Sequence, residues 1–354
     1  MGVINDLASE THIASSFPRP RGNRAVSVVI GIGLSLLFAW LAFRGLEMDL
    51  IRQQMGNLRL VPILVCLATQ ILCQVWRLLR WGLMLRSLGE ISWGRVFAIG
   101  SVGTPAVTLI PARIGELVRP VFVAEETDID FGRASATVVA ERLVDGSLMS
   151  LVFFSGLMLL RNEGTSNNLL MSGVAFAAIF VFAGICLWLV FRFQAIVLRL
   201  LGSMTGVSPG ASRAASSVFR GFVGALGPIL SKKVFAPYLA ISLALWATEA
   251  ISIYSLFGVT DQAFPFSASI IVLVAIVVGT LIPSGPAHLG IFEYAVVVGL
   301  SFFGPTAGTG AFFGALLHFL QVVVLLGFAF LGLWLGNIRF ERLLNLSRRP
   351  EPQV

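Results

Sequence analysis

Apolar segments long enough to cross a lipid bilayer recur from one end of this chain to the other. They lie at about residues 25–45, 60–85, 134–160, 169–191, 235–257 and 311–335. A helix needs about 20 mainly apolar residues to span the hydrocarbon core. The 354 residues are 56% hydrophobic and 12% charged, roughly half the charged fraction of a soluble domain. The chain is therefore predicted to be an all-α polytopic membrane protein with about six full transmembrane helices.

Charge distribution predicts the topology. Lys and Arg mark cytoplasmic loops, and they concentrate at residues 19–24, 77–95, 192–233 and the C-terminus. Both termini are therefore expected in the cytoplasm of a bacterium, with the chain in the inner membrane. The predicted domains are a cytosolic tail (1–25), one transmembrane domain (26–338) with a cytoplasmic amphipathic segment (192–233), and a second tail (339–354). The net charge of +7 indicates contact with anionic lipid rather than nucleic acid.

The most unusual stretch is Thr108–Arg119, because it places three charges, a proline and a glycine in apolar sequence. A charge near the bilayer centre costs at least ~3 kcal/mol, and proline stops a helix but can begin a new one. Residues 93–120 are predicted to form a re-entrant hairpin whose second half-helix begins at Pro111. The alternative is an ordinary cytoplasmic loop between two spans.

A second interruption follows the same pattern. Residues 280–283 repeat the Thr-Leu-Ile-Pro of residues 108–111, and a glycine and a glutamate follow in both copies. With both termini in the cytoplasm, the distribution of Lys and Arg between the two membrane faces is accounted for if residues 266–303 form a hairpin that enters from the face opposite the cytoplasm. Paired broken helices in halves of opposite topology mark the substrate site of many transporters. Half-helix N-termini at Pro111 and Pro286 would favour an anion, such as a phosphate head group.

Several charged residues near the first interruption are candidates for substrate binding. Glu141 and Asp145 share one helix face with Arg142 beside them, and two like charges one turn apart need a cation between them. A polar stripe on the second span ends at Arg77 and Arg80, which either face a wet cavity or extend to the interface. The predicted substrate-binding residues are Arg77, Arg113, Glu116, Arg119, Glu141, Arg142 and Asp145. All of these except Arg77 are expected to form one buried ionic cluster.

Other titratable residues lie in the later apolar segments. The candidates for coupling or a proton relay are Glu249, His288, Glu293 and His318, since intramembrane carboxylates and histidines build such relays. Glu249 can also be a boundary residue in contact with water. No nucleotide-binding motif is present, and the three cysteines have no metal-ligand spacing. We therefore expect no cofactor, no metal and an ion or lipid gradient as driving force.

Two motifs at a fixed spacing resemble a known family. Residues 111–119 (Pro-Ala-Arg-Ile-Gly-Glu-Leu-Val-Arg) and 138–145 (Val-Val-Ala-Glu-Arg-Leu-Val-Asp) are similar to those of flippase-like membrane proteins related to the transmembrane region of lysylphosphatidylglycerol synthase. Ala112 stands where that family usually has glycine, and Pro286-Ala287-His288 replaces its Pro-Gly-Gly. No aminoacyl-transferase domain like that of the bifunctional members is expected. The resemblance implies lipid translocation, or a role in making lipids or lipid-linked glycans.

The leading hypothesis is a non-enzymatic flippase for an anionic, phosphate-bearing lipid or lipid-linked intermediate. The head group would cross a polar cavity between the hairpins while the tails stay in lipid. The first alternative is a membrane-embedded transferase that uses Glu141 and Asp145 as a base or metal ligands. The second is an accessory subunit of a lipid-synthesis complex. The expected partners are membrane lipids, with a homo-oligomer or a lipid-biosynthesis partner as further alternatives.

Overall fold

The structure is a computed structural model, and it describes residues 24–44, 56, 58–109, 116–160, 167–203, 209–260, 262–282 and 284–336. Within these ranges the chain forms helices joined by turns, and no β-strand occurs. Lipid offers no hydrogen bonds to the backbone, and a helix satisfies its own N–H and C=O groups within one segment. The predicted all-α class is confirmed. Both predicted tails lie outside the described residues, apart from Arg24 and Ala25 at the start of the first helix.

The six helices at the predicted spans begin and end within a few residues of the positions that hydropathy predicts. In chain order the helices are α1 (Arg24–Phe43), α2 (Leu60–Arg86), α3 (Trp93–Leu109), α4 (Val118–Glu126), α5 (Phe131–Leu160), α6 (Asn167–Arg192), α7 (Gln194–Ser203), α8 (Pro209–Ile229), α9 (Lys232–Phe257), α10 (Phe266–Gly279), α11 (Ile291–Ser301) and α12 (Ala307–Gly336). A 3-10 turn, Pro286–His288, lies between α10 and α11.

Three of the described helices are long and apolar enough to cross a membrane: α2, α9 and residues 307–334 of α12. A fourth span results if α6 and α7, which are bent by 74° at their junction, are one broken span. α5 is also long, with 30 residues, but its first half carries Arg133, Glu141, Arg142 and Asp145. The chain is thus a multi-pass membrane protein, and the predicted amphipathic segment contains the helices α7 and α8.

Two sets of four helices repeat the same order. A long helix, a short helix, an interruption, another short helix and a second long helix form α2–α5, and the same sequence of elements forms α9–α12. The packing repeats as well: α2 lies against α9, α3 lies against α12, and the equivalent α10 lies against α5. Each short helix that follows an interruption packs on the long helix after it. If α2–α5 are exchanged with α9–α12, each of these contacts therefore maps onto itself or onto another of them.

The second interruption corrects one prediction from the sequence. No α-helix begins at Pro286, because Ala287 and His288 have φ angles of 57° and 56°, which an α-helix does not admit. The half-helix α11 begins instead at Ile291, with Gly290 as its N-cap. At the first interruption α4 begins at Val118. The predicted start at Pro111 lies outside the described residues.

Candidate functional site

Described residues at both interruptions line one cavity of about 260 Å³. Its wall includes Glu116, just before α4, and Arg119, at the start of α4, together with Ser284 and His288 from the second interruption. The long helices α2, α5, α9 and α12 supply most of the remaining wall. Irregular backbone at membrane depth is tolerated where it lines a wet cavity or is buried in protein. This position makes the cavity the candidate site.

Arg80 is the centre of the charged network, which corrects the suggestion that it extends to the interface. Its side chain is only 3% exposed. Nη2 donates to Asp145 Oδ2 at 2.8 Å and to Glu141 Oε1 at 2.9 Å, while Nη1 donates to Asp145 Oδ1. The cation that separates the two carboxylates on α5 therefore comes from α2, at the end of its polar stripe.

Arg119 extends this network toward the first interruption. Its Nη1 donates to Glu141 Oε2 at 3.0 Å, and its guanidinium lies 4.5 Å from the centre of the Trp81 ring, a favourable cation–π distance. Its Nε is buried and makes no hydrogen bond to the described residues. On the other side, Trp246 Nε1 donates to Asp145 Oδ1 at 3.1 Å. Asp145, Arg80, Glu141 and Arg119 thus form one continuous chain of charge pairs.

Glu116 and Arg142 form a separate pair at the same cavity. Arg142 Nη2 donates to Glu116 Oε1 at 3.0 Å, and the Arg142 side chain is 52% exposed. The single buried cluster predicted from the sequence is therefore divided in two. Glu116 and Arg142 pair with each other, and the Arg142 side chain is exposed. Arg113 lies outside the described residues.

A second polar network joins α2 and α9. Arg77 Nη2 donates to Glu249 Oε1, and Gln70 Nε2 donates to Glu249 Oε2 at 3.2 Å and to Ser252 Oγ at 3.0 Å. Glu249 is therefore held in an ion pair deep between two long helices. The alternative that it is a boundary residue in contact with water does not fit its 6% exposure.

The interruption after α10 is held by short-range and long-range hydrogen bonds. Ser284 Oγ and His288 Nδ1 lie 2.9 Å apart. The Gly285 N–H donates to Ser35 Oγ of α1 at 2.7 Å. Positive φ values at non-glycine residues cost of order 1–3 kcal/mol each and cluster at functional sites, and Ala287 and His288 both have them.

Glu293 and His318 form a buried pair beside the cavity. His318 Nδ1 lies 2.7 Å from Glu293 Oε1, and both side chains are about 95% buried, with exposures of 6% and 5%. The Gly290 N–H donates to Glu293 Oε2 at 2.7 Å. The His318 ring is stacked on Phe292, with centroids 4.5 Å apart. His318 and Phe292 line the cavity.

The described cavity wall carries equal numbers of arginines and carboxylates. The cations are Arg77, Arg80, Arg119 and Arg142, and the carboxylates are Glu116, Glu141, Asp145 and Glu249. All the predicted site residues lie on this wall, apart from Glu293, which contacts His318, and Arg113. Sequence reasoning did not assign Arg80 to the site and missed Trp246. Both could have been found from the sequence, because each lies three residues from a predicted site residue on the same helix: Arg80 from Arg77, and Trp246 from Glu249.

A family model supports the resemblance. The model for the transmembrane region of lysylphosphatidylglycerol synthase matches residues 28–329, which include both interruptions and both sets of four helices except the C-terminal end of α12. The chain belongs to this family. A comparison with curated proteins finds no match.

Family membership makes this a lipid-related membrane protein. One departure of this chain from the family motif has a structural consequence. The two residues with positive φ, Ala287 and His288, are those that replace the glycines of the Pro-Gly-Gly motif in the resemblance. Glycine adopts positive φ without steric cost. Ala287 and His288 therefore carry a backbone strain that glycine at these two positions would not have.

Proposed function

We propose that this protein translocates an anionic, phosphate-bearing lipid or lipid-linked intermediate across the bacterial inner membrane. The head group passes through the cavity between the interrupted helices, and the acyl or prenyl tails remain in the surrounding lipid. The single observation that carries the proposal is that described residues at both interruptions line one cavity whose wall carries four arginines. Family membership in a lipid-related group is consistent with this substrate class.

The arginines divide into two roles. Arg80 is a positioning residue, because both its terminal nitrogens are engaged by Asp145 and Glu141. Arg119 is the proposed principal phosphate ligand, since a guanidinium has five N–H donors and Arg119 pairs with one carboxylate, Glu141, where Arg80 pairs with two. A forked guanidinium matches the geometry of phosphate.

Arg142 and Arg77 complete the path for the head group. Arg142 is half-exposed at the edge of the cavity, which suits the first contact with a head group. Arg77, on α2, also lines the cavity and is paired with Glu249. An anion passing between them would remain near a cation throughout, which lowers the cost of moving a charge through the bilayer.

The proposed arrangement in the membrane is six full spans and two re-entrant hairpins, built from two inverted repeats. The six spans are α1, α2, α5, α6, α9 and α12, and the hairpins are α3–α4 and α10–α11. The repeated order of helices and their exchanged contacts support this arrangement. Both termini are proposed to lie in the cytoplasm.

The transferase alternative assigns Glu141 and Asp145 to catalysis. Their arginine partners and the indole N–H of Trp246 occupy the carboxylate oxygens that a base or a metal would need. This favours a scaffolding role for both carboxylates. The accessory-subunit alternative differs from the main proposal in one measurable respect, since such a subunit does not move lipid by itself.

The test is a lipid-translocation assay in vesicles that contain the purified protein. One set carries phosphatidylglycerol with a fluorescent tail, and a matched set carries a phosphate-free glycolipid with the same tail. Dithionite quenches only the label in the outer leaflet, so the loss of fluorescence reports translocation. We expect faster movement of the phosphate-bearing lipid than in protein-free vesicles.

Two variants sharpen this assay. Arg119→Gln removes the proposed phosphate ligand and is expected to slow translocation by about tenfold or more, since a hydrogen bond to a charged group contributes about 1.5–3 kcal/mol. Arg95→Gln is the matched control, because Arg95 pairs with Glu126 away from the cavity. No movement with the wild-type protein, or equal movement of the phosphate-free lipid, contradicts the proposal.

A further inference from the structure

We propose that the Glu293–His318 pair carries the proton that couples lipid movement to a pH gradient. This inference rests on the proposed function and adds a driving force to it. One proton would bind at His318 when a phosphate head enters the cavity, and both would be released on the less acidic side of the membrane.

Close packing of α11 against α12 creates this pair. Gly314 lies one turn before His318 on α12, and a Cβ placed on Gly314 would lie only 3.0 Å from Glu293 Cα. Small residues at such positions let membrane helices approach closely. The carboxylate is also fixed from its own helix, because Glu293 is the third residue of α11 and accepts the Gly290 N–H. Glu293 is therefore held in place at both oxygens.

The hydrogen bond determines which nitrogen exchanges protons. A carboxylate facing Nδ1 favours the tautomer with hydrogen on Nδ1, and the N–H then donates to Glu293 Oε1 at 2.7 Å. Nε2 is left as the nitrogen that binds a proton. Because His318 lines the cavity, this proton is exchanged with the same space that would hold the head group.

Charge explains why proton binding and phosphate binding favour each other. With a neutral imidazole the pair carries one negative charge, which opposes an anion nearby. With an imidazolium the pair is neutral, and the ring cation lies at the cavity wall. An anion that favours the protonated state is itself bound more tightly by that state, since coupling between two ligands is reciprocal. One phosphate monoanion and one proton then cross together without net charge.

The other charged groups facing this region have different partners. Glu249 is bound by Arg77, and the other carboxylates on the described wall, Glu116 and the two on α5, are paired with Arg80, Arg119 and Arg142. A guanidinium is always protonated in proteins. The basic partner of Glu293 is instead a histidine, whose imidazole exists both as a neutral ring and as a cation. His288, hydrogen-bonded to Ser284, is the other histidine on the wall and the comparator for the test.

The experiment measures where the lipid accumulates when a pH difference is imposed. Vesicles of phosphatidylcholine contain the protein and a trace of tail-labelled phosphatidylglycerol, and potassium with valinomycin holds the membrane potential at zero. For wild-type protein we expect the label to accumulate in the leaflet facing the less acidic side. The ratio of the leaflets should change by about tenfold per pH unit, the free energy of one proton per lipid. Protein-free vesicles correct for spontaneous redistribution.

His318→Gln and Glu293→Gln are expected to move the label while leaving it evenly distributed, and His288→Gln is expected to keep the response to the gradient. Size-exclusion profiles and thermal midpoints identify any variant that has not folded. Translocation by wild-type protein that ignores the pH difference overturns this inference and leaves the proposed function intact. Loss of the response in His288→Gln but not in His318→Gln also overturns it.

A second measurement does not depend on transport. The chain has three histidines, so the imidazole signals of ¹⁵N-histidine-labelled protein in nanodiscs are few enough to assign. We expect the imidazolium fraction of His318 at a fixed pH to rise when phosphatidylglycerol replaces phosphatidylcholine, and this rise to be smaller in Glu293→Gln. An unchanged fraction overturns the inference even if no lipid is translocated.

Discussion

Arg80 illustrates how one buried cation can determine the structure of a charged site. Its guanidinium lies between Asp145 and Glu141, with a side-chain exposure of 3%. Removing one partner of a buried ion pair typically costs about 3–5 kcal/mol, because the remaining charge is left uncompensated. Arg80→Met would leave Asp145 without its arginine partner and Glu141 with Arg119 alone. We therefore expect a large fall in the thermal midpoint of the detergent-solubilised protein, measured by intrinsic fluorescence.

Two comparisons test this explanation. The triple variant Arg80→Met, Glu141→Gln, Asp145→Asn removes the charges together and should be more stable than Arg80→Met alone. Arg95→Met breaks a pair whose arginine is 45% exposed, and such pairs contribute under about 1 kcal/mol. If the triple variant were as unstable as the single one, packing of the Arg80 side chain rather than charge would account for the loss.

At the scale of elements, the first helix fixes the second interruption. Gly290, with φ of 84°, lies so close to α1 that a Cβ there would overlap the Ser35 carbonyl and lie 3.0 Å from Ala39 Cα. Gly304 has the same φ, but a Cβ there would meet nothing within 4 Å. Gly304→Ala should therefore cost only the backbone strain, about 1–2 kcal/mol. Gly290→Ala should cost clearly more, because α1 must also move.

Thermal midpoints of the two variants provide the comparison. A second measurement is the reactivity of Ser35→Cys toward a membrane-permeant maleimide, in a background without the three native cysteines. Reactivity should rise when Gly290→Ala is added and stay unchanged with Gly304→Ala. Equal effects of the two alanines would mean that α1 does not hold the interruption.

For the whole molecule, the sequence predicts the helices better than their partners. Spanning-length apolar runs gave bounds within a few residues because lipid leaves the backbone few alternatives to helix. The start of α11 was wrong because Pro286 suggested a helix that the positive φ of Ala287 forbids. The role of Arg80 was missed because helical spacing predicts which face of α2 carries this residue, but not which side chains of other helices lie next to it. Glu293 and His318 were both proposed as relay residues, but their contact joins two different helices, which spacing along one helix does not predict.

The last prediction concerns the re-entrant topology, which distinguishes a cavity between two hairpins from a simple bundle of spans. Glu90 and Asp128 are exposed residues on either side of α3–α4, and Gln262 and Thr306 occupy the equivalent positions around α10–α11. If both hairpins turn back, the first two lie on the cytoplasmic face and the last two on the opposite face. Single cysteines at these positions, in a background without the native three, are labelled in intact cells with a membrane-impermeant maleimide. We expect labelling at Gln262→Cys and Thr306→Cys before lysis, and at Glu90→Cys and Asp128→Cys only after it. Labelling of Glu90→Cys and Asp128→Cys from opposite sides would mean that α3–α4 crosses the membrane. The first interruption could then not be the turn of a re-entrant hairpin, and the inverted arrangement of two hairpins would be wrong.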